Sequence, residues 1–161
     1  MGKLRFYHIR DGYIEFLHTL DNRVQMNKGQ RRPYVGIVLR IGDYDYYVPL
    51  ESPKPNHAKI KAGGPVLKLD DGKLGIMGFN NMIPVRKYQL LDFDILSEKD
   101  EHYKVLLLKQ LSYCEKNRKI IYARAQATYE KATNGKNPFY RKICCDFKRL
   151  ETNCDIYKAK R

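Results

Sequence analysis

The chain has 161 residues, enough for one domain with a real core at 43% apolar content, and carries 31 Lys+Arg against 18 Asp+Glu, a formal charge of +13. The excess is spread along the chain: residues 1–95 hold 15 basic and 10 acidic groups (+5), and residues 96–161 hold 16 and 8 (+8). That charge selects for polyanionic partners, while no apolar run is long enough to span a bilayer and the start lacks a signal-like stretch, so a cytoplasmic protein with no membrane partner is expected.

"KLRFYHI" (3–9) alternates as an opening strand with Leu4, Phe6 and His8 on one face. Asp11 is the expected cap of a short helix to Leu20, with Ile14, Leu17 and Leu20 inward. Residues 21–33 are polar, carry Asn, Gly and Pro, and read as a loop. "YVGIVLRIGDYDYYVPL" predicts a hairpin, with a β-branched run (34–41) turning at Gly42-Asp43 into an aromatic strand (44–48). Short strands are expected within 72–85 and 86–93. Helices are expected over 99–116 and from about Asn117 to Lys131, with Val105, Leu108, Leu111, Ile121 and Ala125 at helical spacing, and one more short helix over 139–151. Strands first and helices after give an α+β fold: a strongly twisted, mainly antiparallel sheet with flanking helices, in one domain over 1–161.

Cys114, Cys144, Cys145 and Cys154 form no C-x-x-C pair, and His8, His18, His57 and His102 are scattered, so reduced thiols and no metal cluster are expected. The glycines match neither the Walker nor the dinucleotide pattern, which disfavours nucleotide-hydrolysing and redox enzymes.

The informative stretch is "YYVPLESPKPNHAKIKAGG" (46–64). Pro49, Pro53 and Pro55 restrict the backbone, so the polar side chains between them hold set directions. Ser52 and Lys54 stand two apart, on one face of extended chain. A hydroxyl beside an ammonium can bind a phosphodiester and stabilise charge developing on it; a turn serine with an exposed lysine is the plain alternative. Arg31-Arg32 precedes the hairpin and can grip phosphate with two prongs. His57 is the imidazole of the stiff loop and can move protons near neutral pH, unless it is merely a solvated loop histidine. Tyr13 opens the first helix; among 13 tyrosines most serve packing, and some can stack on bases. Asp70-Asp71 reads as a turn and not as a metal site, so RNA cleavage would use the substrate's own 2′-hydroxyl as nucleophile, without a cofactor.

"KLRFYHI", "RPYVGIVL", "YYVPLESPKPNH", "GKLGIMGFNNMIPV" and "LLLKQLSYCEKN" occur in the order seen in the endoribonuclease toxins of type III toxin–antitoxin systems, the ToxN/AbiQ group, which residues 3–125 resemble. The resemblance implies a Kid/MazF-like twisted sheet and RNA cleavage without metal, to a 2′,3′-cyclic phosphate and a 5′-hydroxyl. It also implies a repeat-derived RNA antitoxin, trimmed by the toxin into short pseudoknots and held in closed cyclic assemblies, and for some members the abortion of phage infection. By position it carries the family's key serine to Ser52, the lysine after S-P to Lys54, the basic residue before the hairpin to Arg32, the tyrosine of the first helix to Tyr13 and the loop histidine to His57. Arg31, Lys28, Lys59, Lys61 and Asn80 are the candidate RNA contacts. Two positions depart from the pattern. Glu51 stands where a hydroxyl residue can precede the serine, and Arg32 replaces a lysine with a group whose pKa above about 12 makes it a poor proton donor. Proton transfer then falls to Lys54, Tyr13, His57 or Ser52. The alternative from another class is a non-catalytic basic RNA-binding protein.

Overall fold

The computed structural model describes residues 2–27 and 31–157. Lys28, one of the candidate RNA contacts, lies outside them. Seven strands, β1 (Arg5–Ile9), β2 (Tyr34–Ile41), β3 (Tyr44–Glu51), β4 (Val66–Lys68), β5 (Ile76–Gly78), β6 (Ile83–Pro84) and β7 (Leu90–Asp92), join in the order β4-β5-β3-β2-β1-β7, with β6 also on β3. Every pairing is antiparallel. Among the described residues five α-helices accompany them: α1 (Asp11–Leu20), α2 (Glu101–Lys116), α3 (Arg118–Thr133), α4 (Pro138–Ile143) and α5 (Phe147–Asn153). The expected α+β architecture holds.

β3 is the hub, and its length explains how a proline sits inside it. The Leu50 N–H donates to the Pro33 carbonyl on the β2 side. Backbone N–H groups alternate sides along a strand, so the Pro49 nitrogen faces the opposite edge. There β6 pairs with Tyr46 and Tyr47, β5 pairs with Leu50 and Glu51, and Pro49 falls in the gap between them. The missing donor costs no ladder bond. Beyond the 44–48 expected from sequence, β3 therefore runs on to Glu51 and delivers residues 51 and 52 to the sheet's end.

Several expectations shift in detail. Asp11 lies in the first turn of α1 and the cap position belongs to Arg10; the Asp11 carboxylate instead accepts from Asn27 Nδ2 at 3.0 Å. In α2 the inward face is Leu107, Gln110 and Cys114, while Val105 and Leu108 are exposed. A glutamine on the core face masked the true phase of the helix; its Nε2 donates to the Leu74 carbonyl at 2.8 Å. The expected last helix is two, because Cys145 leaves helical geometry and its N–H donates to the Asn80 carbonyl at 2.8 Å. All four cysteines are free and buried; burial pushes the Cys114 and Cys144 thiols up to about 12, where they are inert.

The C-terminal helices are tied to the sheet through Glu151. Its Oε2 accepts from Tyr46 Oη of β3 and Tyr129 Oη of α3, each at 2.7 Å. Phe147 stacks on Tyr129 and meets the edge of Tyr46. Arg23 adds a second tie by gripping Asp21 and donating to the Arg141 and Lys142 carbonyls.

Candidate active site

The site grows from the end of β3. Glu51 ends the strand, Ser52 through Lys54 continue in exposed chain, and Pro55 starts a 3₁₀ turn over Pro55–Lys59. This turn is pinned from inside. His57 is only 3% exposed; its Nδ1 accepts from the Lys54 N–H at 3.1 Å, and its own N–H donates to the Lys54 carbonyl at 3.0 Å. With Nδ1 accepting, the ring proton belongs on Nε2, which faces Glu51 Oε1 at 3.6 Å. The same oxygen holds Lys54 Nζ at 2.6 Å. His57 is thus not the solvated residue that a loop position suggests. It braces the loop, with both ring nitrogens turned towards the protein.

Glu51 binds this group together. Burial opposes its ionisation and is the largest single influence. The Lys54 hydrogen bond and charge, with smaller contributions from His57 and Arg32, outweigh it, and the carboxyl is held below the usual range. Glu51 thus has a structural use: it is an acid that fixes Lys54. Behind it stands Gly75, at φ +97°, where a Cβ would overlap the Glu51 carbonyl oxygen. Only glycine fits.

Ser52 opens into a cleft of about 560 Å³ lined also by His8, Arg31, Phe93, Glu98, Asp100 and Tyr103. β2 places the arginines there: Tyr34 pairs with Pro49, and the Leu50–Pro33 hydrogen bond extends the register, which sets Arg32 beside Glu51 and Arg31 beside Ser52. Arg31 is exposed, while Arg32 Nε donates to the Met26 carbonyl at 3.0 Å. β1 lies on the other side of β2 and brings His8, whose ring stacks on Phe93 with centroids 4.1 Å apart. Sequence reasoning noted His8 only as a strand-face residue and missed Phe93, Glu98, Asp100 and Tyr103. The alternation of "KLRFYHI" carried a signal for His8, but the β1–β7 pairing that brings Phe93 beside it spans some 80 residues and leaves no local trace.

Of the described candidates only Ser52 and Arg31 line the cleft; Lys54, Arg32, His57, Lys59 and Lys61 do not, and neither do Tyr13 and Asn80. Tyr13 is fully buried, its hydroxyl donates to the Pro84 carbonyl at 2.6 Å, and burial raises its pKa far beyond the reach of a proton donor. Pro84 pairs with Tyr46, six residues from Ser52 along β3, or about 20 Å at the usual strand rise. Tyr13 is a core residue. Asn80 is half-buried, with its side-chain oxygen inside, and ties the α4–α5 junction through its carbonyl. The whole "NNMIPV" stretch is structural: Asn81 bonds Gln25 and the Arg23 carbonyl, and Met82, Ile83 and Val85 are core. Lys59 and Lys61 are exposed and free to meet a polyanion. Among the described residues no three His, Cys, Asp or Glu side chains gather into a metal-holding group, and no helix is long and apolar enough to cross a membrane.

The end of an antiparallel sheet thus presents a hydroxyl and an arginine on one cleft, with a braced lysine on the adjoining loop. Residues 5–155 match the family model described as toxin ToxN of type III toxin–antitoxin systems, and the chain belongs to that family. It is 31% identical to the endoribonuclease ToxN of Bacillus thuringiensis subsp. kurstaki, over 97% of this chain and 85% of that one. It is also 31% identical to the endoribonuclease AbiQ of Lactococcus lactis subsp. lactis, over 98% and 91%. The fold superposes with a TM-score of 0.86 and 32% identity on a type III toxin whose selective inhibition by a non-coding RNA pseudoknot has been described, covering 99% of this chain and all of that one. With AbiQ, described as a lactococcal anti-phage endoribonuclease, the TM-score is 0.85 at 31% identity.

Proposed function

We propose that this chain is the endoribonuclease toxin of a type III toxin–antitoxin system and that it cuts RNA at the cleft headed by Ser52. The observation that carries the reading is the placement of Ser52 and Arg31 on one cleft, beside a Glu51–Lys54–His57 cluster that fixes the loop. The 2′-oxygen attacks the adjacent phosphorus, the bond to the 5′-oxygen breaks, and the products end in a 2′,3′-cyclic phosphate and a 5′-hydroxyl. Ser52 hydrogen-bonds the phosphoryl oxygen as charge builds on it, and Arg31 and Arg32 supply the fixed positive field around the phosphorane. Lys54, held by Glu51, adds to that field and positions the loop. Catalysis requires that these contacts strengthen in the transition state relative to bound RNA. Cleavage proceeds without a metal ion.

The inhibitor is a short RNA pseudoknot cut by the toxin from a repeat transcript and held with it in a closed cyclic assembly in the cytoplasm. Lys59 and Lys61 bind its backbone, as does Lys28, and the pair serves to abort phage infection. The pseudoknot inhibitor and the anti-phage role are supported by the relatives, and the repeat transcript and cyclic assembly by the sequence resemblance alone.

Purified protein incubated with mixed RNA in EDTA is expected to release 2′,3′-cyclic phosphate ends. Ser52→Ala is expected to lose at least about 100-fold in rate, while RNA affinity stays within about tenfold, the worth of one hydrogen bond. Wild-type protein that binds RNA and never cuts it, with or without EDTA, would identify a non-catalytic RNA-binding protein instead.

A further inference from the structure

The departures at the site leave a gap in the proton chemistry. Arg32 cannot give up a proton. The Tyr13 hydroxyl is buried about 20 Å away along β3, the ring nitrogens of His57 are turned to Lys54 and Glu51, and the Lys54 ammonium is held by Glu51 at 2.6 Å. Yet 2′-hydroxyl attack needs an acceptor for its proton. One imidazole lines the same cleft as Ser52, and it comes from β1.

We infer that His8 is the proton acceptor for the 2′-hydroxyl in this enzyme, a catalytic residue supplied by the opening strand; the inference rests on the endoribonuclease reading above. Its geometry is that of a base held ready. Nδ1 lies 3.4 Å from the Arg32 carbonyl oxygen, and a carbonyl oxygen only accepts, so the proton belongs on Nδ1 and Nε2 keeps its lone pair. Stacking on Phe93 fixes the ring plane. β1 and β3 flank β2, about 10 Å apart across two strand spacings, which leaves room for one ribose and its phosphate between His8 and Ser52.

The charges around the ring come from four sides. Arg31 shares the cleft with it from the segment before β2, where Arg32 meets it through its carbonyl alone, and Ser52 shares the cleft from the loop after β3. Asp92 and Asp94 flank Phe93 at the end of β7. Glu98, Lys99 and Asp100 precede α2, and Tyr103 lies in its first turn. Burial, the largest influence, moves the imidazole below its ordinary 6.5 against the Arg32 carbonyl and the Glu98 charge, so the ring is neutral at pH 7. In the step itself the 2′-hydroxyl proton passes to Nε2 as the 2′-oxygen bonds to phosphorus. The bond to the 5′-oxygen breaks, that oxygen takes a proton from water, and the imidazolium returns its proton to the hydroxide left behind.

The test is the pH dependence of kcat/KM on a short single-stranded RNA for wild type, His8→Gln, His8→Phe, which keeps the stack, and Phe93→Ala, with folding checked by circular dichroism. Wild type is expected to lose rate below a midpoint under 6.5, since protonation removes the base. Both His8 variants are expected to fall about 100-fold or more and to lose that acidic limb, whereas Phe93→Ala keeps the limb at a lower plateau. Imidazole added to His8→Ala is expected to restore part of the rate, and that readout serves if the larger replacements fail to fold. A His8 variant cutting within about threefold of wild type with the acidic limb intact, or His8→Ala unmoved by imidazole, would overturn the inference while the endoribonuclease reading stands. No cleavage by wild type would sink the reading itself.

Discussion

At Glu51 one carboxylate answers to three neighbours of opposite charge or potential charge: Lys54, His57 and Arg32. Its side chain is about a third exposed, 30%, so solvent screening limits the contact to about 1 kcal/mol or less. The sign of its pH dependence follows from the lowered folded-state value. Stability from this group is complete above the ordinary 4.5 and is lost as pH falls through the lower value of the folded protein. Glu51→Gln is therefore expected to lower Tm by about 2–4 °C or less at pH 7, and the two melting curves should converge as the pH falls through the lowered value of the folded carboxyl. Much at this scale was legible in advance. Ser52 and Arg31 do line one cleft, while Arg32 turns its side chain to the Met26 carbonyl. The roles of Tyr13 and His57 were not, because residue type announces chemistry and burial decides it: one phenol is spent on the Pro84 carbonyl and one imidazole on the loop's own backbone.

Among the elements, β3 does most of the organising. Its outer edge is shared by two short strands, and the segment leading into β5 places Gly75 against the backbone of Glu51 and Ser52. Gly75→Ala adds a Cβ both at positive φ and onto a carbonyl oxygen. A destabilisation of about 2–4 kcal/mol is expected, measured by urea unfolding, with cleavage by the remaining folded protein reduced because Ser52 is displaced. The hairpin of β2 and β3 was readable from its own alternation. β5, β6 and β7 are two or three residues each and exist by pairing with distant strands, so their pattern is too short to speak for itself. In α2 the reading missed the helix phase, since Gln110 faces the core to bond the Leu74 carbonyl and Leu108 faces water.

For the whole molecule, a charge of +13 spread over both halves makes RNA affinity a matter of counterion release. With three phosphate contacts, affinity for single-stranded RNA is expected to fall about 20-fold between 50 and 200 mM salt. Filter binding across that range checks it, and a flat response would mean that the charge serves another end. The α+β class followed from the division into strands first and helices after. The way the two parts close on each other did not, because it depends on Glu151 reaching Tyr46 and Tyr129 from the far end of the chain. That contact orders events in time. A nascent polypeptide that still lacks 147–154 has no Phe147 packed against the two phenols and no carboxylate to receive them, so the hub strand stays unsealed on that side. The tie between β3 and α3 therefore closes only after residues 147–154 have been synthesised.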